Sequence, residues 1–266
     1  MVAGQPQTWT YWVVEKDDYD VHPWVGLLDA VRGSDVAARG ASPDARDVAY
    51  GMGALHWAAA AGDEPCLACL RERAVDVDAL SWAGLSPLAC AARAGHAGAV
   101  RLLLADANPN VGLPLHEAAG AGHTGIVEDL LRRRSDPGVR DNAAETALLR
   151  AARRGFVGVV EALSTGGADV DAANSAGVTP LIASSFFGHE AVVRALLTRG
   201  ANARAVCARR RSALHYAALA DQRPVAEALL VWASDLAQLA DASGARPADL
   251  AAEADATSVL ELLRRM

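Results

Sequence analysis

The chain has 266 residues, 52% of them hydrophobic and only 5% aromatic, with a formal net charge of −7; alanine makes up the difference. An acidic balance argues against a nucleic-acid-binding domain, which is ordinarily basic, and no apolar run approaches the roughly 20 residues of a membrane-spanning helix. The four cysteines make no disulfide framework in a chain this long, and no basic-then-apolar leader opens the sequence, so a reduced compartment, cytoplasm or nucleus, is expected.

Residues 1–23 stand apart. Thr8-Trp9-Thr10-Tyr11-Trp12-Val13-Val14 is rich in strand formers, and Lys16 to Asp20 is a charged break. The segment is either an arm packing Trp9 or Trp12 against the first unit, or an aromatic ligand for a partner. A lone strand has no sheet of its own to join. From Trp24 the chain reads as a truncated capping unit, about 24–46, with Leu27, Leu28 and Val31 on its inner face.

From there a pattern recurs. Leu55, Leu88, Leu115, Leu148, Leu181 and Leu214 are separated by 33, 27, 33, 33 and 33 residues. A turn glycine follows each anchor at Gly62, Gly95, Gly122, Gly155 and Gly188, with Asp221 in the sixth copy. Then come Leu70, Leu103, Leu130, Leu163, Leu196 and Leu229 on a second apolar face. Ser86-Pro87 and Thr179-Pro180, with Thr146 and Ser212, place a hydroxyl just before the first helix, and proline at its first position presets φ. Each copy is therefore a pair of two-turn helices, too short to persist alone, that buries its apolar face only by stacking. Six copies are expected over about 47–240, with an atypical C-terminal unit over about 241–266.

The chain resembles the ankyrin-repeat family. The family's T-P-L-H-x-A signature reads Ala54-Leu55-His56-Trp57-Ala58, Pro114-Leu115-His116-Glu117-Ala118 and Ser212-Ala213-Leu214-His215-Tyr216-Ala217. Its Gly-His pair reads Gly95-His96, Gly122-His123 and Gly188-His189, and its finger turn reads Gly167-Ala168-Asp169-Val170-Asp171-Ala172. The resemblance spans about 24–266 and implies an all-α solenoid: stacked helix-turn-helix units with β-hairpin fingers projecting toward a concave face. Against it stands the missing length between copies two and three. Leu104 reaches Leu115 in 11 positions where Leu197 needs 17 to reach Leu214, so the finger near Asn108-Gly112 is clipped. The gap is either a notch for a partner or a tolerated loop loss.

Several motifs suggest chemistry and are absorbed by the repeat. Gly120-x-Gly122-x-x-Gly125 has dinucleotide-loop spacing but follows a helix, not the strand such a loop requires. Cys66-x-x-Cys69 falls on the buried side of a second helix and has no second pair of ligands. Six of seven histidines, and Asp76-x-Asp78 and Asp169-x-Asp171, fill repeat columns. No catalytic residue, metal site or cofactor is expected.

What the repeat leaves unexplained lies two, five and six residues after each anchor leucine, positions that in the family line the concave face. Copies four to six place Arg150, Arg153, Arg154, Phe186, Phe187 and Tyr216 there, and the neighbouring finger adds Arg210. A second patch pairs Trp57 with Trp82. Arginine and large aromatics dominate interface energetics. The expectation is a monomeric, non-enzymatic scaffold binding a protein partner that carries an acidic and apolar segment. The alternative is a substrate-recruiting adaptor of a larger complex such as a ubiquitin ligase. After Leu263 only three residues remain for a recruiting box, so residues 1–23 would have to serve.

Overall fold

A computed structural model describes Arg46, residues 49–73 and residues 75–265. The arm over residues 1–23 and nearly all of the capping unit expected over 24–46 lie outside the described residues.

The rest is seven successive helix pairs: α1 (Ala54–Ala61) with α2 (Glu64–Arg71), α3 (Pro87–Ala94) with α4 (Ala97–Leu103), and α5 (Pro114–Ala121) with α6 (Thr124–Arg132). They continue as α7 (Ala147–Arg154) with α8 (Val157–Thr165), α9 (Pro180–Phe186) with α10 (Glu190–Thr198), and α11 (Ala213–Leu219) with α12 (Arg223–Trp232). A 3-10 turn (Ser234–Gln238) then leads to α13 (Pro247–Glu253) and α14 (Thr257–Arg264). First helices stack on first helices and second on second, so the protein is an all-α repeat solenoid. No helix among the described residues is long and apolar enough to cross a membrane.

The hydroxyl caps form as the sequence implies. Ser86 Oγ accepts from the Ala89 amide at 3.2 Å, and Thr146 and Thr179 accept from Leu149 and Ile182, each at 3.3 Å. First helices end on glycine because the chain must turn back with positive φ. At Gly122 (φ 82°) a Cβ would also come within 2.9 Å of the Phe156 ring, which fills the histidine position of the next copy. In copy six the turn residue Asp221 holds φ 50°, and its carboxylate accepts from the Val259 amide at 2.9 Å, capping the first turn of α14. Asp221 is thus a link between the last two units, a role its deviation from the glycine column does not announce.

The core is one continuous strip. The leucines of both anchor columns are buried, and small alanines such as Ala118, Ala151 and Ala217 let the first helices approach closely. Cys66 and Cys90 are buried in this strip and Cys69 is half-buried against it. Burial pushes the Cys90 thiol up to about 12, so it stays protonated.

The fingers are tighter and less β-like than hairpins. Each closes through a five-residue turn in which the first N–H donates to the fifth carbonyl: Ser81 to Leu85 (2.9 Å), Asp141 to Glu145 (3.0 Å), Asn174 to Val178 (3.1 Å), Cys207 to Arg211 (3.0 Å) and Asp241 to Ala245 (2.8 Å). Backbone pairing between extended segments is confined, among the described residues, to isolated bridges at Arg46–Gly53 and Val206–Ser212. A finger this short has no room for a ladder. The clipped finger has no such turn. It is stitched to its neighbours instead: Ser86 Oγ donates to the Val111 carbonyl and Ser135 Oγ to the Pro109 carbonyl, both at 2.8 Å, while the Asn108 amide donates to Asp78 at 2.9 Å. The shortened loop enters α5 through Leu113 at φ 63°, a left-handed conformation costing a branched residue about 1 kcal/mol.

Candidate interaction face

First helices and fingers share one face, because residues two positions after each anchor leucine reach the finger of their own copy. Tyr216 on α11 brings its hydroxyl to 3.4 Å from Cys207 Sγ at the finger turn. Burial, together with that contact, pushes the tyrosine up to about 12, so it remains neutral. From Tyr216 an aromatic ledge runs back along the array. Phe186 meets Tyr216 edge-on at 6.0 Å between centroids, Phe187 meets Phe186 edge-on at 5.1 Å, and Phe187 stacks over His189 at 6.2 Å. Edge-to-face rings hold one another in place. Phe186 and Phe187 nevertheless stay 39% and 50% exposed, while Ser184 and Ser185 on the same helix are fully buried and bonded to the Leu181 carbonyl.

The arginines beside the ledge divide by environment. Arg150 points into the array: it pairs with Glu117 and Asp141, both at 2.8 Å, and its side chain is only 15% exposed. It was expected among the open steering charges, but its charge is spent on two carboxylates and it acts as a packing residue. Arg153 is half-exposed and pairs with Glu145. Its backbone carbonyl accepts from His189 Nε2 at 3.0 Å, which fixes the arginine row against the ledge of the next copy. Arg154 is exposed at the end of α7. Arg211 is tied to Asp241 at 2.9 Å, whereas Arg209 and Arg210 are exposed at the finger tip.

Arg210 has a peculiarity. It adopts φ 56° in the column where three other fingers have Gly84, Gly177 and Gly244. Ala144 shares that column at φ 58°.

The second expected patch does not hold together. Trp57 is 8% exposed and edge-on to Tyr50 at 6.2 Å, because the position two after the anchor faces inward, as it also does at Cys90 and Ala183. Trp82 is 66% exposed, its ring lying over Gly51, where a Cβ would be 2.3 Å away. Sequence reasoning missed Tyr50 and Leu80, which are exposed near Trp82, and Val231-Trp232, exposed at the end of α12. The last pair had a signal: two large apolar residues stand where the preceding copy has Thr198 and Arg199.

The motif histidines are structural. His56, His116 and His215 each direct Nε2 to a carbonyl in the following finger, of Leu85 (3.1 Å), Glu145 (3.1 Å) and Ala245 (3.3 Å). Burial, with Arg150 adjacent, holds His116 down to about 4, with Asp141 and Glu117 opposing the shift. The folded chain therefore keeps His116 neutral while the unfolded chain takes up a proton near pH 6.5. Stability from this residue is full above pH 6.5 and is lost as pH falls toward 4, by about 3 kcal/mol in all. In urea titrations, the gap between wild type and His116→Asn should narrow across that window; a constant gap would contradict the assignment.

The segment Gly120 to Gly125 runs from the end of helix α5 through the Gly122 turn into α6, with no strand before it. Among the described residues no group of three or more His, Cys, Asp or Glu side chains is placed to hold a metal ion. A family model of ankyrin repeats, built of three copies, matches residues 28–112 and again 115–207; the break falls at the clipped finger. No curated protein matches the chain.

Proposed function

Since the chain belongs to the ankyrin-repeat family, whose arrays generally mediate protein–protein interaction, we propose that it holds a protein partner on the shared face of copies four to six. Phe186, Phe187 and the edge of Tyr216 are the anchors. Arg153, Arg154 and Arg210 attract acidic groups around them, and Trp82 belongs to a separate surface. The observation that carries this reading is the aromatic ledge: Phe186 at the end of α9 and Phe187 just after it remain exposed, while Leu181, Ile182, Ser184 and Ser185 of that helix are buried. Proteins of this family are typically non-enzymatic, and no catalytic role is assigned to any residue.

The test is capture of partners by the full chain and by Phe186→Ala/Phe187→Ala, with circular dichroism showing both folded. Both rings are partly buried and edge-on to each other and to Tyr216, so stability should fall by about 1–2 kcal/mol, which leaves the array folded. Truncating two anchors at an interface centre should weaken binding by about 2 kcal/mol or more, roughly thirtyfold. An unchanged partner set would remove the ledge from the interface.

Arg210 supplies a second, opposite-signed check. Arg210→Gly relieves a left-handed arginine and should stabilise the fold by about 0.5–1 kcal/mol, yet weaken the partner if the arginine is kept for binding. Ala144→Gly should give the same stabilisation with no loss of affinity. Equal binding by both variants would reduce Arg210 to a solvated tip.

A further inference from the structure

We infer that the clipped finger of copy three leaves a preformed slot that receives a reverse turn from a protein partner, held by backbone hydrogen bonds and an apolar contact rather than by charge. The slot lies apart from the aromatic ledge and does not depend on it.

Elsewhere the finger tips are joined in a row. The second residue of each turn meets the residue just before the positive-φ position of the preceding turn. Trp82 N–H donates to the Tyr50 carbonyl at 2.9 Å, and Ala208 N–H to Ala176 and Ala242 N–H to Arg209, both at 3.0 Å. Between copies four and five the same positions meet through a side chain, Ser175 Oγ donating to the Ala143 carbonyl at 3.4 Å. Copy three has no tip, so the row is broken on both sides of it. The Ala83 carbonyl of copy two has no following turn to accept from, and the Asn142 amide of copy four has no preceding turn to donate to. Neither group has a hydrogen-bond partner among the described residues, and both residues are exposed. One wall therefore carries an open acceptor and the other an open donor. Unpaired backbone groups of this kind are a template for pairing with another chain.

The floor holds the walls apart. Asn108 N–H donates to Asp78 at 2.9 Å and Asp136 N–H to Asn110 Oδ1 at 2.8 Å, so the base of the row runs unbroken beneath the gap. Gly112 presses on the next wall so closely that a Cβ would be 2.2 Å from the Ser86 amide nitrogen. The walls stand two stacking steps apart, about 18 Å. A single strand lying about 4.8 Å from each wall would fill only about 10 Å, so it pairs with one side alone. A two-stranded turn reaches both.

The side chains add an apolar contact. Leu80, just before the turn of copy two, is 43% exposed. Its counterpart Arg140 reaches forward to the Ala173 carbonyl of the next finger, so this position leans toward the following unit, which for Leu80 has no tip. Glu117 stands where Arg150 and Tyr216 reach the turns of their own copies. It pairs instead with Arg150 at 2.8 Å, so its carboxylate is not available to an incoming residue.

The test uses the full chain and, as probe, a fluorescent peptide of residues 170–180 cyclised through added terminal cysteines, which reproduces the complete finger of copy five. The probe should bind saturably and slow hydrogen exchange of the Asn142 amide while leaving those of Ala208 and Ala242 unchanged. Asn142→Pro deletes the donor at the second position of the Asp141–Ala144 turn, where proline suits the backbone, and should weaken the probe about fivefold. Replacing residues 111–113 with residues 172–179 restores a full finger and should abolish binding. Phe186→Ala/Phe187→Ala should bind the probe as wild type does. Loss of binding in that variant moves the probe to the ledge and overturns the slot. Absence of saturable binding, or affinity unchanged by both Asn142→Pro and the restored finger, overturns it too. If the chain with the restored finger fails to fold, Asn142 exchange and Asn142→Pro decide the matter. Self-association of the full chain that disappears on restoring the finger gives the slot to a second copy and overturns the separate partner.

Discussion

Leu163→Ala should cost about 3–4 kcal/mol, the largest loss expected from a single truncation in this array. Leu163 lies in α8 at the centre of the strip, fully buried, in the column that also holds Leu70, Leu103, Leu130, Leu196 and Leu229. Large-to-small changes at such sites combine lost transfer energy with an unfilled cavity and run from 2 to 5 kcal/mol. Because each unit touches only its neighbours, the damage is also topological: the substitution weakens two interfaces at once and lets the halves of the array unfold separately. The urea midpoint should fall by about 1 M or more and the apparent m-value should drop. Leu263→Ala, half-buried in the last helix, should only fray the end. Equal effects at the two positions would argue against a one-dimensional stack.

Arg150→Met should cost about 3 kcal/mol, although the residue sits among arginines that look like surface. Glu117 and Asp141 are 14% and 10% exposed and each has Arg150 at 2.8 Å. Removing the guanidinium leaves two buried carboxylates, one with only Arg93 at 3.9 Å and the other with its own turn amides. An uncompensated buried charge is costly, whereas replacing the whole cluster with apolar groups is much less so. Arg150→Met/Glu117→Met should therefore recover a good part of the loss, giving a coupling energy above about 1 kcal/mol in a double-mutant cycle. A loss below about 0.5 kcal/mol for the single variant would place Arg150 back on an open surface.

These two residues mark the boundary of what a repeat sequence discloses. Leu163 was legible from its column alone, since a period of 33 with leucine in phase has no other economical reading. The caps at Ser86, Thr146 and Thr179 were legible too, being interactions with residues three positions on. Arg150 was legible only as a position on a face. Its partners are 33 and 9 residues away, and whether they neutralise it depends on where a finger turn ends in space. Trp57 failed for a related reason: its column faces inward, as at Cys90 and Ala183, and the contact that covers its ring comes from Tyr50 in the preceding loop. Asp221 looked like decay of the glycine column, and its amide partner is 38 residues distant.

By itself the sequence determined the repeat, the pairing of short helices, their starts and stops, and hence an all-α solenoid. These follow from local rules: helical periodicity, hydroxyl and proline caps, and glycine where φ turns positive. It also picked out Phe186 and Phe187 as aromatics in a column of small and polar residues. Tertiary structure decided which charges remain available, that Tyr216 joins the phenylalanines in one ledge, and that Arg210 rather than Arg211 stands at the finger tip. Those outcomes turn on contacts between units about 30 residues apart, where a shift of a few ångströms separates a paired charge from an exposed one. No single period of the sequence records such a distance.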